Sequence, residues 1–121
     1  MSEVNRAFPH QHLLAYQYAL KFHRFVSSLK TAVPPGFSST YDQLLRAAVS
    51  GCLNVAEGAS AWEPGNKRRY FRTALASMGE CAGALEVMSP DLRVDGAKLE
   101  ADLDDLVRAR RLTSGLLKRF L

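Results

Sequence analysis

Four polar side chains lie on one face of an otherwise apolar segment, and their chemical types are those from which an active site could be built. In a helix with about 100° per residue, the four fall within one narrow arc. They are Arg46, Ser50, Asn54 and Glu57, and Glu80 in a later segment is a candidate partner. No nucleophile stands beside a candidate base in the sequence, and no glycine-rich phosphate loop accompanies the stripe. We interpret these residues as a structural polar seam that fixes helix register, with an active site as the alternative.

The seam must find partners, because the segment from residue 42 to residue 59 is otherwise apolar nearly all the way round a helix. Such a helix is expected to be largely buried. An unpaired buried polar group costs roughly 1–3 kcal/mol. A buried guanidinium left alone is also costly, so we expect Arg46 to form an ion pair with Glu80 or Glu57.

Basic residues gather in two stretches, and phosphate binding is the chemistry they would support. The candidate nucleic-acid contacts are Lys67, Arg68, Arg69, Arg72, Arg108, Arg111, Lys118 and Arg119. Tyr70 and Phe71 lie within the first stretch, next to Trp62, and an aromatic ring among cations can stack on a base while its neighbours hold the backbone. The alternative is that Phe71 belongs to the core and the arginines are solvated. If the two helices run antiparallel, both stretches converge at one end of the subunit.

The remaining histidines, acids and cysteines form no recognisable catalytic or metal-binding pattern. The histidines lack the spacing of metal ligands, and a run of acids lacks the glycine and terminal glutamate of a calcium loop. These residues are His10, His12, His23, Asp102, Asp104 and Asp105. Cys52 and Cys81 sit in apolar helical patterns without a CxxC pair, which indicates reduced core residues. We expect no metal, no cofactor and no enzymatic activity.

Length and composition indicate one globular domain: the chain has 121 residues, of which 47% are hydrophobic. The net charge of +4 permits anionic partners without requiring them. No apolar run approaches the roughly 18 residues of a membrane span. The N-terminal residues lack the apolar core of a signal peptide. We therefore expect a cytoplasmic protein with no membrane partner.

Proline, glycine and capping residues divide the chain into four helical segments. After a loose leader at residues 1–9, the bundle occupies 10–121, with helices at about 10–31, 39–58, 64–88 and 95–121. Ser39 and Asp42 resemble a weak capping box at the start of the second helix, and Gly58 is predicted to end that helix. Asp95 is predicted to cap the start of the last helix. Four helices with short connections predict an all-α, up-down-up-down four-helix bundle.

The third predicted helix carries a face of small residues opposite its core stripe. Helix glycines cost about 1 kcal/mol each relative to alanine. Close approach of another helix backbone is the usual compensation. We therefore expect Ala76, Gly79 and Gly83 to lie near a subunit interface.

Two stretches of the chain, with shorter ones at each end, resemble the bacterial four-helix-bundle family that includes 23S rRNA intervening-sequence proteins and retroelement accessory variability proteins. The family pattern is approximately Q-L-x-R-A-x-x-S-x-x-x-N-x-A-E-G in helix two and A-x-[GA]-S-x-x-E in helix three. The matching residues are Gln43, Leu44, Arg46, Ala47, Ser50, Asn54, Ala56, Glu57 and Gly58, then Ala74, Ala76, Ser77 and Glu80. YQYAL from Tyr16 and the terminal SGLLKRFL resemble the family's first and last segments, so the likeness spans about residues 12–121. Thr113, Cys52 and Leu53 depart from the pattern.

The resemblance implies a homopentamer, a barrel of five bundles around a central opening, with no known catalytic activity. Retroelement members pair with a reverse transcriptase and bind nucleic acid. Two hypotheses follow for this chain. One is a non-enzymatic oligomeric protein that binds RNA or DNA through basic surfaces, and the other is a pentameric scaffold for a protein partner.

Overall fold

Four α-helices make up most of the chain. In a computed structural model that describes residues 7–121, they are α1 (Leu14–Ser28), α2 (Ser38–Ser60), α3 (Pro64–Met88) and α4 (Gly96–Lys118). Short 3-10 turns occupy Pro9–His12, Leu29–Ala32 and Ser89–Asp91, and no strand occurs in the described residues. The all-α, four-helix prediction is confirmed. Most of the predicted leader, residues 1–6, lies outside the described residues.

The helices form a ring of antiparallel neighbours. α2 packs mainly on α3, and α1 packs mainly on α4. Smaller contacts between α1 and α2 and between α3 and α4 complete the arrangement, so each helix has two neighbouring helices. Cross-helix contacts give the register between α1 and α4: Arg108 Nη1 lies 3.1 Å from the Tyr18 hydroxyl, and Lys21 Nζ lies 3.8 Å from Asp105 Oδ1. The higher-numbered residue of α1 thus contacts the lower-numbered residue of α4. The two helices are therefore antiparallel, as an up-down-up-down bundle requires.

Every helix contributes to one apolar core. Its fully buried large side chains include Phe22, Leu29, Leu44, Val55, Phe71 and Met88. Thr113 of α4 is also fully buried, and its hydroxyl donates a 2.7 Å hydrogen bond to the Ala109 carbonyl oxygen one turn earlier. No described helix is both long enough and apolar enough to cross a membrane.

The first predicted helix is shorter than expected. Leu13 is extended (φ −81°, ψ 126°), so the turn at Pro9–His12 is separated from α1. At the other end the chain tightens through Leu29–Ala32, and Val33 is extended (φ −75°, ψ 123°). A residue that precedes proline is disfavoured in the helical region, and Pro34 follows Val33.

Gly58 does not end α2, contrary to the prediction. The helix continues to Ser60, and Gly58 is buried within it. A Cβ at residue 58 would lie 2.5 Å from Cε1 of the Phe71 ring. The glycine is therefore required by the close approach of that ring rather than by a helix stop.

The two predicted caps have different outcomes. The capping box of Ser39 and Asp42 is wrong, because α2 begins one residue earlier and Phe37 occupies the N-cap without a side-chain hydrogen bond. Asp95 caps α4 as predicted, because its carboxylate accepts a 3.2 Å hydrogen bond from the Ala97 backbone N–H. α3 has the predicted bounds, and α4 ends at Lys118.

One face of α2 is exposed, although the sequence predicted burial nearly all the way round. Val49 and Leu53 are 38% and 56% exposed. α2 packs against α1, α3 and the Pro9–His12 turn, and its remaining face points outward. That outer face is apolar in its middle and charged at Arg46 and Glu57 on either side.

Candidate nucleic-acid interface

The start of α3 and the end of α4 meet at one end of the bundle. Arg68 Nη1 donates a 2.6 Å hydrogen bond to the Phe120 carbonyl oxygen, 52 residues away in the chain. The rings of Phe71 and Phe120 stack with their centroids 6.3 Å apart. The two basic stretches therefore converge at this end, which we call the basic end. It comprises residues 64–72 of α3 and residues 108–119 at the end of α4.

Two of the eight candidate contacts are already engaged within the chain. Lys67 Nζ donates to the carbonyl oxygens of Gly58 and Ala59, at 2.9 and 3.2 Å. These carbonyls lie in the last turn of α2, where a cation is favoured by the helix dipole. Arg68 is held by Phe120 as described. Both side chains are half-buried and act first as structural caps.

Arg108 is a third candidate with a structural role. Its Nε donates a 2.8 Å hydrogen bond to Asp104 Oδ2 and its Nη1 reaches the Tyr18 hydroxyl of α1. The hydrogen bond with Tyr18, and then the charge of Asp104, raise the pKa of the Arg108 guanidinium above its ordinary value. Arg108 therefore belongs to the contact between α1 and α4.

The remaining five candidates are exposed and available to a partner. They are Arg69, Arg72, Arg111, Lys118 and Arg119, and none forms an ion pair within residues 7–121. The Arg69 guanidinium lies 4.8 Å from the ring centroid of Tyr70, which holds it over the aromatic face. The available charge is thus concentrated on the outer surfaces of α3 and α4.

Arg110 joins this surface, although the spacing of Leu99, Leu103, Leu106, Leu117 and Phe120 in the sequence predicts that it falls inside the apolar stripe of α4. It is exposed, and it lines a groove with Arg111 and Lys118. The true stripe passes through Leu106, Ala109 and Thr113, all of them buried. These three residues are three and then four positions apart, which is the spacing of one helix face. Because alanine is small, this face is easily overlooked in the sequence, but it would have excluded Arg110 from the core.

A groove between α1 and α4 opens beside the same surface. Half-buried Leu112 and Leu116 line it, and Arg111 and Arg119 also belong to its lining. Gly115 lies in the same lining, and a Cβ at that residue would meet no atom within 4 Å. None of the groove's apolar residues was predicted from the sequence to belong to a site.

The aromatic residues near the first basic stretch differ in burial. Phe71 is 1% exposed and belongs to the core, which confirms the structural alternative for that residue. Trp62 is 95% exposed in the turn between α2 and α3. It lines a depression with Tyr70, and the carboxylates of Glu57 and Glu63 lie there too. The Trp62 side of the turn is therefore acidic as well as aromatic.

The predicted polar seam is partly present. Ser50 Oγ lies 2.8 Å from Ser77 Oγ of α3, and Asn54 Nδ2 donates to the carbonyl and hydroxyl oxygens of Ser50 at 2.9 and 3.1 Å. The Ser50–Ser77 contact links α2 to α3, and the Asn54 hydrogen bonds lie within α2. Ser77 entered the sequence analysis only through the family pattern, and its pairing with Ser50 was not predicted.

The charged members of the seam lie outside it. Arg46, Glu57 and Glu80 are exposed, and the ion pair predicted for Arg46 does not form within residues 7–121. The prediction assumed a buried guanidinium. Because these three side chains are solvated in the single chain, no desolvation penalty forces them to pair.

The small face of α3 is open in the single chain. Ala76, Gly79 and Gly83 are exposed, and a Cβ at either glycine would meet no atom within 4 Å. Packing within the chain therefore gives no reason for two glycines there.

The cysteines are buried and unpaired with each other. Burial raises the pKa of the Cys52 thiol to about 11. Burial, with the charges of Glu80 and Cys52, raises the pKa of the Cys81 thiol to about 12. Neither is therefore a thiolate nucleophile at neutral pH. Within residues 7–121, no three histidine, cysteine or acidic side chains are grouped to hold a metal ion.

Comparison with known proteins adds no family. No model of a known protein family matches the chain, and no curated protein matches its sequence.

Proposed function

We propose that this protein is a non-enzymatic nucleic-acid-binding protein that holds the phosphate backbone at its basic end. The observation that carries the proposal is the 2.6 Å hydrogen bond from Arg68 to the Phe120 carbonyl oxygen. It joins the start of α3 to the end of α4 and so gathers exposed cations from two separate stretches of sequence. Phosphate contacts of this kind give affinity without strong sequence preference.

The charge balance at this end favours an anionic partner. From Leu106 onward α4 contains no acidic residue. Its carboxylates precede that point, and two of them are paired with Lys98 and Arg108 of the same helix. Exposed like charges repel one another, and a bound polyanion relieves the repulsion.

We also propose that the chain assembles as a homopentamer of the family it resembles. Open glycines on α3 and an exposed apolar strip on α2 support self-association, because both features lack a reason within one chain. A ring would present the basic end five times. Even weak single contacts would then give substantial avidity.

The second candidate is a scaffold for a protein partner. The exposed apolar residues Val49, Leu53 and Val87 favour it, since exposed apolar side chains on neighbouring helices are typical of protein interfaces. In that case the binding surface is the outer face of α2 and α3, away from the cations of α4.

A salt titration of nucleic-acid binding tests the proposal. Retention of RNA or DNA is expected at about 50 mM salt and should fall steeply as salt rises, because each phosphate contact adds about 0.9 to the log–log slope on duplex DNA. The double variant Arg72→Gln/Lys118→Gln should bind less tightly and with a shallower slope.

The matched control is Lys30→Gln/Arg93→Gln, which removes two exposed cations near the opposite end of the bundle. It should bind as the unaltered protein does. If the unaltered protein retains no RNA or DNA even at low salt, the nucleic-acid proposal is wrong and the scaffold replaces it.

A further inference from the structure

The groove between α1 and α4 differs from the rest of the basic end in having an apolar floor. Leu112 and Leu116 are half-buried in it, and Leu14 at its edge is 56% exposed. A concave apolar surface with a few charged groups at its rim is the usual form of a small binding site.

Two arginines at the rim of the groove are far enough apart to stand on either side of a bound base. Arg111 lies on α4, and Arg119, eight residues later, is the C-cap residue of that helix. At about 1.5 Å per residue this separates their Cα atoms by about 12 Å along the helix axis. Both side chains are exposed, and neither is committed to an ion pair within the described chain.

The middle of the groove is kept open by Gly115. A glycine inside a helix lowers the local helix equilibrium about fivefold relative to alanine, yet a Cβ at this residue would meet no atom within 4 Å. Packing within the chain therefore does not call for glycine. The space that a side chain would occupy is available to a ligand instead.

We propose that this groove receives an unstacked base of a single-stranded nucleic acid while Arg111 and Arg119 bind its flanking phosphates. The inference rests on the proposed nucleic-acid function and names the form of nucleic acid preferred. A duplex keeps its base faces inside the stack and offers an apolar floor little to contact. A single strand exposes those faces, and extruded bases are held between aromatic or apolar side chains.

The experiment compares three polyanions: an oligouridylate of about 12 nucleotides, within the range of single-strand site sizes; a duplex of equal length; and inorganic polyphosphate, which has no bases. Gly115→Leu should weaken binding of the oligouridylate by about tenfold, the factor that loss of one base contact corresponds to. Binding of the duplex and of polyphosphate should change far less. Arg111→Gln should weaken all three.

The control variant is Ala101→Leu, at an exposed residue of the same helix away from the groove. It should leave all three affinities unchanged. Circular dichroism should give equal or greater helical content for Gly115→Leu, since leucine is the better helix former.

Each other outcome has a definite meaning. An equal loss on all three ligands, or no loss on any, would overturn the base-binding groove while leaving the proposed function intact. If the unaltered protein bound neither oligouridylate nor duplex, the proposed function and the groove would fall together. Binding of polyphosphate alone would mean a site for anions that does not recognise bases.

Discussion

The ring of Phe71 packs directly on the backbone of Gly58. A Cβ at residue 58 would lie 2.5, 2.7 and 2.9 Å from three carbons of that ring, closer than carbon atoms can approach. The Phe71 side chain is 1% exposed and stacks on Phe120, so it has little room to retreat. This pair fixes the distance between the end of α2 and the start of α3.

Gly58→Ala should therefore destabilise the fold. Forcing a methyl group into a packed site costs about 1–3 kcal/mol, and the better helix propensity of alanine recovers only about 1 kcal/mol of it. Urea unfolding followed by circular dichroism measures the change. Gly115→Ala is the matched control, because its new Cβ meets nothing within 4 Å, and it should be as stable as the unaltered protein or more so. If Gly58→Ala were as stable as Gly115→Ala, Phe71 would not constrain this position.

The same pair explains one limit of prediction from the sequence. The pattern of apolar residues and the prolines predicted four helices, and α3 matched its predicted bounds. Glycine at a helix end and glycine under a ring look alike in one dimension. Only the position of Phe71, thirteen residues later and on another helix, distinguishes the two.

Burial on α2 was misjudged for a related reason. Val49 and Leu53 have the side chains of core residues, and the periodic pattern cannot distinguish a face that meets the core from one that points outward. The predicted ion pair of Arg46 was wrong for the same reason, because the guanidinium is not buried.

Convergence of the two basic stretches was predictable, since it follows from antiparallel helices alone. The capping roles of Lys67 and Arg68 were not, because they depend on carbonyl oxygens at the ends of α2 and α4.

Lys67→Met tests the structural role of that side chain. Lys67 Nζ donates to the carbonyl oxygens of Gly58 and Ala59, and hydrogen bonds to charged groups contribute about 1.5–3 kcal/mol. Since the side chain is only half-buried, we expect a loss near the lower end, about 1–2 kcal/mol, in the free energy of unfolding. Thermal unfolding should register it as a lower midpoint.

Arg72→Met is the control for Lys67→Met, because Arg72 is exposed and makes no ion pair among the described residues. It should leave stability unchanged within about 0.5 kcal/mol. If both variants unfold at the same midpoint as the unaltered protein, Lys67 does not cap α2. Binding experiments on the basic end should accordingly avoid Lys67 and Arg68, whose loss mixes folding with binding.

The buried thiols predict a decline of stability in alkali. Their ordinary pKa is 9.0, and burial raises it to about 11 for Cys52 and about 12 for Cys81. Above pH 9 the unfolded chain releases these protons while the folded chain retains them. The unfolded state is therefore stabilised relative to the folded state, and the free energy of unfolding decreases. Their stabilising contribution is complete below pH 9 and is lost as the pH rises through 11 and 12. Each thiol adds a slope of up to about 1.4 kcal/mol per pH unit.

The double variant Cys52→Ala/Cys81→Ala isolates this effect from the tyrosines and lysines that titrate in the same range. It should be less stable at neutral pH, because it leaves cavities, but its stability should fall less steeply between pH 9 and 11. Unfolding by urea at a series of pH values measures both slopes. Parallel slopes for the two proteins would contradict burial of the thiols.

Gly83→Leu tests whether the small face of α3 is an interface between subunits. Gly83 is exposed, and a Cβ there meets no atom within 4 Å, so one chain accommodates the leucine and its helix should gain stability. Against the backbone of a second copy, the same side chain would prevent close approach. We expect unchanged helical content by circular dichroism but a smaller mass by light scattering. Ala101→Leu, on an exposed face of α4, should leave the mass unchanged.

A single-chain mass for the unaltered protein at micromolar concentration would reject the assembly itself. An oligomer that survived Gly83→Leu would instead move the interface to another face, with the strip around Leu53 on α2 as the next candidate.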